Sequence, residues 1–239
     1  MIKGQKNLHE EIEKKKFEKN GEAILPVYDG VVNIDVYCNQ PFKVMWILKE
    51  PYENGQETSA GWMQFEKIDS GTVSKLPSLR KITYISALLL KYPERNYDSL
   101  PQNIEEYSNV LQSIAFINTG KFLANKRTSS SRLQQCYENW EEILHRQIKL
   151  YDADVLFFGG TFDVYRKFFE NIVCNQNMRV SSDIKANLYE VEFNSKKHLL
   201  IDTWHPGYFR CKEQNYVDTL VSITREQQIK NNIFLTTGS

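Results

Sequence analysis

Short apolar runs alternate with amphipathic stretches along most of this chain. Val44 to Leu48, Ile114 to Ile117, Val155 to Phe158 and Leu199 to Thr203 are compact runs bounded by polar or turn-forming residues, the pattern of strands buried on both faces. Between them the spacing changes to that of helices. Leu79, Ile82, Ile85, Leu88 and Leu89 recur every three or four residues after Pro77-Ser78, and Leu133, Tyr137, Trp140, Ile143, Leu144 and Ile148 trace one face of a helix ending near Tyr151. Tyr216, Val217, Leu220, Val221 and Thr224 predict a last helix. A helical piece over Asn103 to Gln112 and another over Phe162 to Phe169, with Thr161 as its N-cap, complete the set. Upstream, Gln5 to Asn20 reads as a charged helix docked through Leu8, Ile12 and Phe17, and Val31, Val32, Ile34 and Val36 favour a short strand. Leu188 to Phe193 and His198 to Thr203 pair as a hairpin around Asn194 to Lys197, or the second run joins a parallel sheet.

Alternation of strand and helix predicts an α/β fold: a three-layer α/β/α domain with a mainly parallel, four-stranded central sheet. One domain spans residues 1–239, with 1–30 as a peripheral N-terminal extension. Open sheets of this kind gather ligands at the carboxyl ends of their strands. In this chain those ends lead into Glu50, Asn118, Gly160 and His205.

Composition narrows the class. Hydrophobic residues make up 41% and charged residues 25%, as in a soluble globular protein, and 30 basic residues balance 30 acidic ones, so only a local patch could attract a polyanion. The 4 cysteines (Cys38, Cys136, Cys174 and Cys211) form no CxxC pair, which predicts neither a zinc ribbon nor a disulfide scaffold. The segment from Lys3 to Lys19 lacks the apolar core of a secretory signal, and no later run approaches a membrane span. A reduced, cytoplasmic, monomeric protein is the resulting expectation. GxSxG, GxxxxGK[ST] and GxGxxG signatures are absent, which disfavours an unrelated hydrolase or nucleotide-binding enzyme.

Two loops carry most of the candidate chemistry. Lys49-Glu50-Pro51-Tyr52 follows Val44 to Leu48, and Trp204-His205-Pro206-Gly207 follows Leu199 to Thr203. Glu50 is a proton acceptor or fixed charge, and His205 a donor to developing negative charge, provided neither is simply a loop charge or a structural histidine. Lys121, Lys126, Arg127 and Arg132, interleaved with Ser129 to Ser131, form either a phosphate-binding rim or a solvated loop.

Taken in order, these motifs over residues 42 to 222 resemble the uracil-DNA glycosylase superfamily. Val44 to Tyr52 is similar to its strand followed by a water-activating acidic residue, proline and tyrosine, with Gly55-Gln56 next. Leu76-Pro77-Ser78-Leu79 resembles a shortened proline-rich loop that touches the DNA backbone. Ile114 to Asn118 resembles the strand whose last asparagine reads a pyrimidine edge, and Trp140-Glu141 suits the helix after it. Phe157 to Thr161 resembles the glycine-serine phosphate loop, with Thr161 for serine, and Thr203 to Pro206 the histidine-proline loop. Lys49-Glu50 stands where the motif has glutamine and aspartate, and Gly207-Tyr208-Phe209 replaces the serine-containing wedge loop.

The resemblance implies a DNA glycosylase that flips uracil or a related modified base from single- or double-stranded DNA and hydrolyses its N-glycosidic bond, and it implies no metal or organic cofactor. Glu50 would orient water and stabilise the sugar cation, and His205 would stabilise the base anion. Asn118 would read the base unless it only terminates its strand, Tyr52 would wall the pocket, and Trp62 or Phe65 would stack on the base unless they belong to the core. Pro77, Ser78, Gly160 and Thr161 would contact DNA. Tyr208 and Phe209 would form a wedge beside Arg210, unless Phe209 packs inward. The alternative is a non-catalytic nucleic-acid-binding module that keeps the pocket and senses a base or DNA end.

Overall fold

A computed structural model describes residues 1–15, 17–19, 22–24, 26–51, 70–124, 128–169, 173–174 and 184–230. In chain order these comprise helix α1 (Ile2–Lys14), strands β1 (Phe17–Lys19) and β2 (Glu22–Ile24), helix α2 (Ile34–Cys38), strand β3 (Val44–Leu48), helices α3 (Ser70–Lys75), α4 (Pro77–Leu90) and α5 (Glu105–Ser108), and strand β4 (Ala115–Asn118). Helix α6 (Ser130–Tyr151), strand β5 (Val155–Gly159), helix α7 (Phe162–Tyr165), strands β6 (Val173–Cys174), β7 (Ala186–Phe193) and β8 (Lys196–Thr203), and helix α8 (Glu213–Lys230) follow.

The main sheet has the order β4-β3-β5-β8-β7-β6. Its first four strands run parallel, as the apolar runs predict. The expectation of a four-stranded sheet is corrected: β7 adds a fifth, antiparallel strand through the β7–β8 hairpin, and the two-residue β6 pairs antiparallel to β7. Both readings of His198 to Thr203 therefore apply, since β8 pairs parallel with β5 on one side and antiparallel with β7 on the other. Asn194 and Ser195 make the connection at φ 51° and 59°, the left-handed pair that matches hairpin twist.

Alternate residues of the central strands enter two separate buried clusters. Val44, Trp46, Phe157 and Ile201 face the α4 and α8 side, where Ile82, Ile85, Tyr216 and Leu220 cover them. Met45, Ile47, Phe158 and Leu200 face Leu8 and Ile12 of α1 and Trp140, Leu144 and Ile148 of α6. Period-two side chains covered from both faces explain why the runs are apolar at every position.

Several local expectations change. The segment expected as a strand over Val31 to Val36 contributes only a bridge from Val31 to Ala115 and then turns into α2. Asn33 caps that helix by accepting from the Val36 N–H at 3.1 Å, which outweighs the β preference of the branched residues. The N-terminal helix ends at Lys14, short of Asn20, while Leu8 and Ile12 are buried as expected. Thr161 does not cap α7; its hydroxyl donates to the Ile47 carbonyl at 2.9 Å and ties β5 to β3. No helix among the described residues is long and apolar enough to cross a membrane.

Candidate functional site

The parallel register aligns the strand ends. Leu48 lies opposite Asn118 and Gly159 opposite Thr203, so the Lys49-Glu50, Thr119-Gly120, Gly160-Thr161 and Trp204-His205 segments leave the same edge of the sheet. Backbone bonds extend this alignment past the strands. Thr119 and Gly120 donate to the carbonyls of Leu48 and Lys49 at 2.8 and 2.7 Å, and the Gly160 N–H donates to Thr203 at 2.8 Å. Gly160 adopts φ +71°, a conformation suited to glycine, and an added Cβ would sit 3.3 Å from Lys49 Cε and 3.5 Å from the His205 nitrogen.

A cleft of about 350 Å³ opens at this edge, lined by Lys49, Glu50, Thr128, His205, Gly207, Tyr208 and Phe209. The two loops singled out in the sequence thus meet in one cavity, large enough for a small organic group.

Glu50 is buried, and its charge is compensated. Arg132 Nε donates to Oε1 at 2.8 Å, Thr128 Oγ1 to Oε2 at 2.5 Å, and the Cys136 thiol approaches Oε1 at 3.5 Å. Burial and the neighbouring carboxylate push the Cys136 thiol up to about 12, so this group stays protonated. Gly120 closes the other side: an added Cβ there would fall 2.6 Å from Glu50 Cγ. The carboxylate is consequently held in a set position, with one acceptor site on Oε2 left for a water or cation.

His205 is the complementary half. The Gly207 N–H donates to its Nδ1 at 3.1 Å, so in the neutral ring the proton resides on Nε2. Burial first, then the charges of Lys49 and Lys81, lower its pKa from 6.5 to about 4. Near neutral pH the cleft therefore holds an uncharged imidazole with an Nε2–H donor, flanked by ammonium groups. The arrangement suits negative charge arising on one side and positive charge near Glu50 on the other.

Other sequence candidates have varied positions. Asn118 is buried beside the cleft and its backbone N–H donates to Asp29 Oδ2 at 2.6 Å; it does not belong to the cleft lining. Ser78 approaches the His205 loop, its Cβ being 3.8 Å from the Cβ position of a substituted Gly207, and Pro77 begins α4 with its side chain exposed. Phe209 is 82% exposed and does not pack inward; Arg210 lies 5.9 Å from its ring, and Tyr208 packs on Trp204 at 4.4 Å. Tyr52, Trp62, Phe65, Lys126 and Arg127 fall outside the described residues.

Lys121 is a correction. It is fully buried, pairing with Asp29 at 2.7 Å and donating to Gln147 Oε1 at 3.0 Å, so it belongs to the support of the site and not to a phosphate rim. Arg132, read as part of that rim, instead engages Glu50. Sequence reasoning missed Thr128, Asp29 and Lys81. For Lys81 a signal existed, because it falls on the stripe with Ile85 and Leu88 at helical spacing.

Among the described residues, no group of three or more His, Cys, Asp or Glu side chains converges as a metal site. No protein-family model and no curated protein matches the chain.

Proposed function

We propose that the protein is a DNA N-glycosylase built on a three-layer α/β/α frame, flipping uracil or a related modified base into the cleft and hydrolysing its N-glycosidic bond. The supporting observation is the placement in one cavity of a fixed carboxylate, Glu50, and a neutral imidazole donor, His205. Breaking the glycosidic bond leaves positive charge on the sugar and negative charge on the base. Glu50 stabilises the first and accepts a hydrogen bond from the attacking water, and His205 Nε2–H stabilises the second. Exposed Phe209, with Arg210 beside it, is suited to filling the gap left by the flipped nucleotide.

A second reading, a non-catalytic module that binds a base or DNA end, is favoured by one feature: both Glu50 oxygens are already engaged, by Arg132 and Thr128. Such engagement leaves few acceptor sites on the carboxylate for an attacking water. Incubating the protein with oligonucleotides carrying a panel of damaged and modified bases separates the two. The glycosylase forms abasic sites, whereas the module binds in a salt-sensitive manner and releases no base.

A further inference from the structure

We infer that Lys81, acting with Tyr216, is a positioning residue for His205: two buried side chains from different helices grip the carbonyls at either end of the His205 loop and aim its Nε2–H into the cleft. The inference rests on the glycosylase reading for its catalytic consequence, while the grip itself is independent of it.

The geometry is a closed circuit around the histidine. Lys81 Nζ, on α4, donates to the Tyr208 carbonyl at 2.7 Å, and Tyr216 on α8 donates its hydroxyl to the Trp204 carbonyl at 2.6 Å. The two grips are joined, because Lys81 Nζ lies over the Tyr216 ring at 4.9 Å, and Thr203 Oγ1 donates to the Tyr216 hydroxyl at 3.4 Å. Inside the circuit, the Tyr208 N–H returns to the His205 carbonyl at 2.8 Å and the Gly207 N–H to Nδ1. The carbonyls flanking His205 on either side are thereby tied to the helical layer.

Lys81 is an expensive residue in this place. Only 3% of it is exposed, and among the described residues it forms no ion pair. A methionine would fill a similar space without burying a charge. Burial lowers the lysine pKa, with Arg80 acting in the same direction and Cys211 and Glu213 opposing it. His205 in turn faces Lys49 and Lys81, with Glu50 across the cleft tied to Arg132. A buried ammonium thus does two things at once: it fixes the loop and keeps positive potential behind the imidazole.

The test uses the full chain. Followed by NMR, the His205 ring should titrate near 4 in the wild type. In Lys81→Met its midpoint should rise, and the Gly207 and Tyr208 amides should exchange faster. Excision kcat should fall about 10- to 100-fold with KM little changed. Lys81→Arg keeps the charge and a donor and should restore the midpoint. Tyr216→Phe keeps the ring beneath Lys81 but removes the Trp204 bond; it should speed amide exchange and lower kcat without moving the midpoint. An unchanged midpoint and unchanged exchange in Lys81→Met overturn the inference. Should that variant fail to fold, wild-type exchange and kcat in Tyr216→Phe overturn it instead. Titration and exchange need no substrate, so absence of excision by the wild type would count against the proposed function and leave the grip decided by these readings.

Discussion

Replacing Lys121 by Met strips the cation from a carboxylate that the fold has buried completely. Neither Lys121 nor Asp29 has any side-chain exposure, and Asp29 is the hub: Oδ1 accepts from Lys121 at 2.7 Å and Gln147 at 2.9 Å, and Oδ2 from the Asn118 N–H at 2.6 Å. Two neutral donors remain after the substitution, too few to hold the charge alone. Removing one partner of a buried ion pair costs about 3–5 kcal/mol. For a domain of this size, where each kcal/mol moves Tm by about 2–4 °C, the expected fall is about 6–20 °C. Asp29→Asn combined with Lys121→Met removes both charges, keeps an oxygen for the Asn118 N–H, and should recover more than half of the loss. Urea unfolding followed by tryptophan fluorescence and circular dichroism gives the four free energies of the cycle. A loss below about 1 kcal/mol in Lys121→Met, or a double variant no better than the single, would refute the reasoning.

Acid should weaken the fold early, since all 4 histidines have pKa values lowered chiefly by burial. Below the unfolded value of 6.5 the unfolded chain binds protons that the native one does not, so stability falls as pH falls, with a slope of up to about 1.4 kcal/mol per pH unit for each ring. The His205 share is complete only below about 4, and urea midpoints measured from pH 7 to 4 report the trend. Gly120→Ala places a Cβ 2.6 Å from Glu50 Cγ and 2.9 Å from Cys136 Sγ, so it should displace the carboxylate and lower excision about 100-fold in a folded protein, as kinetics on an excised substrate would record. Phe209→Ala, at a site 82% exposed, should change stability by less than about 0.5 kcal/mol and raise the Kd for duplex DNA, measured by fluorescence anisotropy.

The parallel strands were legible because burial on both faces leaves no polar position to confuse the pattern. Val44 to Leu48 is buried throughout, and so is Val155 to Gly159. Where one residue's chemistry overrides the composition around it, the pattern misleads, as at Asn33, whose side chain starts a helix among Val and Ile residues. The strand-end positions of Glu50 and His205 followed from topology alone. Their partners did not: Thr128 and Arg132 lie 78 and 82 residues beyond Glu50, and Lys121 meets Asp29 across 92 residues. A lysine in a polar stretch reads as solvated until the fold supplies a buried carboxylate. Lys81 carried a faint trace in its helical spacing, but its target, a backbone carbonyl on a distant loop, has no signature in side-chain pattern.

The central claim is that Glu50 and His205 together break a glycosidic bond. Its most direct measurement is base release from the modified-base panel by the wild type, Glu50→Gln and His205→Ala, each verified as folded. The expected result is abasic product from at least one base, reduced about 100-fold or more in each variant. Excision unchanged in both variants, or no release from any base by the folded wild type, would contradict it.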